Sequence, residues 1–252
     1  MKGYQELSEK IVFSFEDVLM MFKHRPTAYA ALRRMTQKGL IKKIRNNLYS
    51  CVNPITHTVF ANPYQIGSSI NEHCYISHQS AFAYYGYLNQ VTNVIFVSSL
   101  KRFNPFEFEG ISYQYVQSNS LDGVIELPYS YKIKISDIEK TIIDSIDGID
   151  SIVNLEELIQ NLDLIPEINT EKLLHYLELY EIQALYQKTA FILSLFQDKL
   201  KNSDALDMEL RTHLKKGVTY LNEDAKYDGV FVKDYNLIVP KWITKGRQNH
   251  EI

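Results

Sequence analysis

The sequence predicts a mixed α/β protein of two domains, and three observations predict it. Up to residue 37 apolar residues recur at helical spacing in three short blocks, which give way to a β-like stretch with a polar turn. Between residues 93 and 135 short β-rich runs follow one another, whereas helical periodicity dominates beyond residue 150. Charge divides the chain too. Residues 1–53 carry ten Lys or Arg against four Asp or Glu, a net +6, and the remainder carries seventeen against twenty-six, a net −9. The formal charge of −3 over 252 residues therefore hides a basic head on an acidic body.

The head is read first. Residues 4–11 suit a short helix with Leu7 and Ile11 as apolar contacts. Ser14 is placed to cap a second helix containing Phe15, Val18, Leu19 and Phe22, with Glu16 and Asp17 in its favourable first turn. After the turn His24-Arg25-Pro26, proline precedes or occupies the first position of a third helix, where its missing amide hydrogen costs little. That helix sets Ala28, Ala31, Leu32 and Met35 on one face and Tyr29, Arg33, Arg34, Gln37 and Lys38 elsewhere. Gly39 ends it. Leu40, Ile41, Ile44 and Leu48 then anchor a β-hairpin whose turn is Arg45-Asn46-Asn47, asparagine being among the few residues that accept such geometry.

Three short helices followed by a basic hairpin are the layout of a winged helix-turn-helix, expected over residues 1–53 as a domain for double-stranded DNA. Its third helix would enter the major groove. Arg25, Thr27, Tyr29, Ala30, Arg33 and Arg34 are the candidates there, with Arg33 suited to bidentate guanine contact and Arg34 to phosphate. Lys42, Lys43, Arg45, Asn46 and Asn47 would belong to the wing, against backbone or minor groove. No acidic side chain occurs between Val18 and Asn71, where eight basic ones do, which suits a phosphate backbone. The competing reading of any single arginine is a solvated basic face, or a cover for acidic parts of the body.

Residues 54–74 read as a connecting segment, with Asn-Pro steps at Asn53-Pro54 and Asn62-Pro63 and a short helix into Ile70. A second domain is expected over residues 75–252, a small mixed sheet with several helices. Ser77 is placed to cap a helix from His78 that Gly86 ends. The run from Asn93 to Ser98 suggests a strand buried on both faces. A hairpin and strand follow over 106–117, then short strands over 123–127 and 131–135. Ser136-Asp137-Ile138-Glu139 reads as a helix start with Glu139 in the reciprocal capping position, and Ile138, Ile142, Ile143 and Ile146 as a packing face. Helices are expected over 154–162, 170–179, 182–199 and 204–215, then a terminal pair of short strands within 217–242 and a polar tail.

Three stretches together resemble the AbiEi-like antitoxin and transcriptional-regulator family, of type IV toxin–antitoxin and abortive-infection systems. They are the head through IRNNLYSCVNP, then YISHQSAFAYYGYLNQ, then KIKISDIEKTIIDSID. The late helices followed by YDGVFVKDYNLIVPKWI match the family's C-terminal layout, so the resemblance spans most of the chain. It implies an N-terminal domain that binds repeats in its own promoter and represses the operon. It implies also a C-terminal domain that counteracts a nucleotidyltransferase-like toxin, with or without contact. A homo-oligomer on DNA is a separate expectation: two copies on paired repeats would need a repeat spacing that matches the separation of their recognition helices. Pro26, and Asn46-Asn47 where relatives often carry glycine, are departures in detail.

For chemistry, His57, His73, Cys74 and His78 are the only candidate metal group, too sparse for a closed site. Asp137, Glu139, Asp144 and Asp147 fit one amphipathic helix better than a magnesium site, and Asp150 fits a helix exit. No glycine-rich phosphate cradle occurs, so no enzyme, catalytic residue or cofactor is expected. Two cysteines, no signal segment and no apolar run of spanning length point to the cytoplasm, with no membrane partner. Two alternatives stand beside the antitoxin: a regulator whose second domain oligomerises or senses a ligand, and a nucleic-acid-processing enzyme.

Overall fold

The computed structural model describes residues 3–88, 90, 92–128, 131–150, 152–201, 203–214 and 217–248. It is a mixed α/β structure with twelve α-helices and three β-sheets among the described residues. The chain forms two compact units, Met1–Ile76 with Thr92–Ile135, and Ser77–Val91 with Ser136–Ile252, so it passes from one unit to the other three times. Residues 1–53 and 54–74 of the expected division both lie in the first unit, and residues 75–252 are shared between the two.

The first unit opens with α1 (Tyr4–Glu9), β1 (Val12–Phe13), α2 (Phe15–Phe22), α3 (Arg25–Gln37), β2 (Ile41–Arg45) and β3 (Leu48–Cys51). Ser14 and Asp17 cap α2 reciprocally, each side chain accepting from the other's backbone amide. Pro26 falls in the first turn of α3, and Gly39, at φ 65°, lets the chain leave it in the left-handed region. The first helix is shorter than expected. Ile11 takes φ 62°, and Val12 and Phe13 pair instead with Ser50 and Tyr49. The result is an antiparallel sheet in the order β1-β3-β2. Its core is Leu7, Phe13, Phe15, Val18, Leu32, Met35 and Ile41, closed by Ala28 and Ala31.

The same unit continues through α4 (Pro63–Ser68), capped by Asn62 with Gln65, into β4 (Tyr75–Ile76), β5 (Val94–Ser99), β6 (Phe106–Phe108), β7 (Ile111–Gln117), β8 (Val124–Glu126) and β9 (Lys134–Ser136). These six strands order as β6-β7-β5-β4-β9-β8, with β5 and β7 parallel and β6 and β7 a hairpin. In β5, Ile95 and Val97 are buried while Val94 and Phe96 are half-buried, so the strand is not sealed on both faces as its continuous apolar run suggested. Gly67 is where α4 meets this sheet. A Cβ there would lie 2.8 Å from Ile76 Cδ1 and 3.0 Å from Val97 Cγ2.

The second unit contains α5 (His78–Tyr85), α6 (Ile138–Asp147), α7 (Leu155–Leu164), α8 (Thr170–Tyr180), α9 (Gln183–Leu193) and α10 (Ser203–His213). It closes with β10 (Thr219–Tyr220), α11 (Asp224–Tyr227), β11 (Gly229–Val232), β12 (Leu237–Pro240) and α12 (Lys241–Gln248). Helix α6 packs against α5, α7, α8 and α9 through Ile142, Ile143 and Ile146. The helix expected over 182–199 stops at Leu193, where Ser194 turns its hydroxyl back to the Phe191 carbonyl, and resumes only as a 3-10 turn at Gln197–Lys199. The terminal strands form a three-stranded sheet, β10-β12-β11, and Pro240 leads into α12 rather than prolonging a strand.

Candidate nucleic-acid interface

The buried stripe of α3 is Ala28, Ala31, Leu32 and Met35, which fixes what faces water. At 100° per residue Ala30, Arg33 and Gln37 stand opposite that stripe, with Tyr29 on one flank and Arg34 on the other. All of them are exposed, as are Arg25, Thr27 and Lys38. Among the described residues none of Arg25, Arg33, Arg34 and Lys38 forms an ion pair. Two aromatic contacts brace the start of the helix. Tyr29 stacks on Phe15 at 4.2 Å, and the Arg25 guanidinium lies 5.7 Å from the same ring.

The β2–β3 hairpin presents a different picture. Lys43 is exposed and donates to Asn46 Oδ1 at 3.0 Å across the turn. Lys42 is paired with Glu109, from the turn between β6 and β7. The Arg45 guanidinium lies 4.9 Å from the ring of Phe106 and 5.6 Å from that of Phe103, and its Nη1 is buried without a hydrogen-bond partner. Burial pulls its pKa below the ordinary arginine value. Asn47, at φ 61°, accepts from the Phe15 amide at 2.9 Å and donates to Glu16 at 2.7 Å. That last bond is the main reason the Glu16 carboxyl sits below its usual range. Of the residues assigned to this hairpin from sequence, Lys43 and Asn46 therefore face water free of the sheet, while Lys42, Arg45 and Asn47 are engaged. Phe103, Phe106 and Glu109 were not singled out from sequence, because no local pattern links them to a hairpin some sixty residues earlier.

The chain is similar in fold to the RV2827C protein from Mycobacterium tuberculosis. The similarity covers 98% of this chain and 93% of that crystal structure, with a TM-score of 0.68 at 15% identity. No family model and no curated protein matches the sequence. At that identity the RV2827C likeness speaks for the fold.

The residues weighed for chemistry are distributed and satisfied. His73 lies 3.2 Å from Glu72, Cys74 is buried with its thiol pushed up by that burial, and His57 is exposed. His78, in the second unit, is buried and pairs through Nδ1 with Ser77 Oγ at 2.9 Å, so that hydroxyl does not cap α5. Asp137, not Ser136, caps α6 by accepting from the Lys140 amide at 2.9 Å. Its other oxygen accepts from Lys172 at 2.9 Å and from Tyr176 at 2.8 Å. Glu139 makes no capping box and accepts instead from the Asn169 amide at 2.9 Å. Asp144 accepts from Lys140 at 3.1 Å and from the Tyr180 hydroxyl, and Asp150 accepts from the Glu223 amide at 2.7 Å. Asp147, at the exposed end of α6, has its carboxyl raised above its usual range by partial loss of hydration and then by the nearby Asp144 carboxylate. Among the described residues no three His, Cys, Asp or Glu side chains converge on a point that would hold a metal ion, and no helix is long and apolar enough to cross a membrane.

Proposed function

We propose that the chain is a DNA-binding antitoxin whose residues 1–53 form a winged helix and repress the operon that encodes it. The single observation that supports DNA binding best is the outward face of α3. It carries Arg33 and Arg34, with Arg25 at the helix start and Lys38 at its C-cap, all exposed and none in an ion pair among the described residues. Exposed cations this close together repel one another, and a polyphosphate relieves that repulsion while releasing its own counterions. On this reading Ala30, small and central, lets the helix approach the floor of the major groove. Arg33 beside it reads a guanine edge, and Arg34, Arg25 and Lys38 hold phosphates.

The antitoxin half of the proposal rests on the resemblance of the two central stretches, which supply α5 and α6. Their packing against one another suits an architectural role for both motifs. The DNA-binding half is tested by fluorescence anisotropy with the duplex upstream of the reading frame and a scrambled duplex of equal length. Preference for the upstream duplex supports autoregulation, and equal affinity at every salt concentration removes it. The antitoxin half is tested by co-expression with a neighbouring nucleotidyltransferase-like toxin. Growth rescue by well-expressed full chain is the expected result, and no rescue leaves a transcription regulator.

A further inference from the structure

The β2–β3 hairpin has lost much of the charge that a wing would offer to DNA. Lys42 is neutralised by Glu109, and Arg45 is seated on Phe103 and Phe106. Only Lys43 remains exposed and outside an ion pair among the three basic residues of β2. Of the two rings that take up Arg45, Phe106 opens β6 and Phe103 belongs to the segment between β5 and β6, and that segment carries two cations of its own, Lys101 and Arg102. Both are exposed, and neither forms an ion pair among the described residues. Consecutive Cα atoms are about 3.8 Å apart, so a guanidinium on the Phe103 ring sets residues 101 and 102 beside the hairpin. The segment is also fixed. The Lys101 amide donates to Ser99 Oγ at 3.2 Å, and its carbonyl accepts from Asn71 Nδ2 at 3.3 Å. Phe103 is buried and meets Tyr115 edge-on at 5.2 Å.

We propose that residues 100–105 are a second phosphate-binding element, in which Lys101 and Arg102 supply the backbone contacts that Lys42 and Arg45 do not. This rests on the DNA-binding reading above and extends it from the first fifty residues onto the six-stranded sheet. Arg45 becomes a positioning residue: its seat between two rings ties the hairpin to the loop and sets the spacing of the two contacts. A phosphate contact carries no base information, so the loop adds affinity for any duplex and leaves sequence preference to α3.

The test is the salt dependence of binding to a mixed-sequence duplex of roughly 30 base pairs, titrated between about 50 and 250 mM potassium chloride. The full chain is compared with Lys101→Ala/Arg102→Ala, with Lys101→Gln/Arg102→Gln, and with Lys201→Ala/Lys226→Ala. The last removes the same charge from exposed positions of the second unit. If two phosphate contacts are lost, the slope of log K against log salt flattens by about 1.8, and affinity near 100 mM salt falls roughly tenfold. Either loop variant showing this, with an unchanged Tm and a normal slope in the second-unit variant, supports the proposal. Native slopes in both loop variants overturn it and leave DNA binding by α3 intact, as does an equal flattening in the second-unit variant. No binding by the native chain at the lowest salt overturns the DNA-binding reading itself.

Discussion

Helices α3 and α6 both carry dense charge, and they dispose of it in opposite ways. On α3 Arg33 and Arg34 stand in water outside any ion pair among the described residues, and the helix is anchored by its alanines, Leu32 and Met35, with Tyr29 and Arg25 braced on Phe15 at its start. On α6 every charge but the terminal Asp147 is inside. Lys140 is 2% exposed and Asp144 5%, and Asp137, Glu139 and Asp144 are each bonded to at least one further element or to the helix start. Lys140 additionally lies over the ring of Tyr180 at 5.6 Å. The charges of α3 are all cationic and those of α6 mostly carboxylates with one lysine. What separates them is satisfaction: a charge whose partners are already inside the fold has none to offer a ligand, and an exposed unpaired one does.

The largest test of that contrast is Lys140→Met. It leaves Asp144 ionised in a buried site, which costs about 3–5 kcal/mol in a urea denaturation measurement. Replacing both partners, as Lys140→Met/Asp144→Leu, should recover much of that loss. A single variant as stable as the native chain would show that the pair is not closed to water. Next comes Arg33→Ala/Arg34→Ala. Stability should change by less than about 0.5 kcal/mol, since neither side chain contacts the core. Affinity for DNA should fall by about 1–3 kcal/mol for a lost bidentate base contact, with more from phosphate. A variant that unfolds while its native parent binds no DNA would reverse the assignment of this face.

A smaller effect is expected at Asn47, a residue of the basic head that behaves like those of α6. Its amide satisfies the first amide of α2 and Glu16, and its backbone is left-handed. Asn47→Ala should cost about 1–2 kcal/mol by thermal denaturation, the range of a lost helix cap. Asn47→Gly should cost less, because the φ strain is absent. Losing DNA affinity without losing stability would place Asn47 with the residues of α3 instead.

The smallest effect is pH-dependent. Burial, foremost, depresses the pKa of His78 below its ordinary 6.5, with Lys140 adding to the depression and Asp144 opposing it. The unfolded chain then binds the proton that the folded chain refuses. Stability is complete above pH 6.5 and falls as the pH drops from 6.5 toward the lower folded value, by at most about 1.4 kcal/mol per pH unit. Urea midpoints at about pH 7.5 and about pH 6 should differ in the native chain and converge in His78→Gln. Equal midpoints in the native chain would mean that water reaches the imidazole.

Local signals carried the helix ends and hairpins. Ser14, Gly39, Gly86 and the turn at Asn46-Asn47 each act through one residue's own hydrogen bond or φ, and the structure uses them where the sequence suggested. Long-range pairing was not legible. Val12 and Phe13 become a strand only because β3 lies beside them, and Arg45 leaves the solvent only because Phe103 and Phe106 receive it. Nor was the interior of α6 visible. An amphipathic reading set its carboxylates apart from the apolar face, whereas Lys172, Tyr176 and Tyr180, more than thirty residues later, supply the partners that let Asp137 and Asp144 be buried. Among the candidate DNA contacts, spacing along α3 alone was enough to place Arg33 opposite the core stripe and Arg34 on its flank.

The threefold passage of the chain between its units has a consequence in time. On a ribosome α5 is completed roughly fifty residues before α6, the helix that covers Phe82, has been made. Strands β5 to β9, which complete the first unit, emerge in between. At about 5–20 residues per second α5 spends several seconds without its partner, its apolar side bare. The early unit thus matures while a piece of the late one is still unfinished, and nascent chains stalled anywhere between residues 92 and 135 should be sticky.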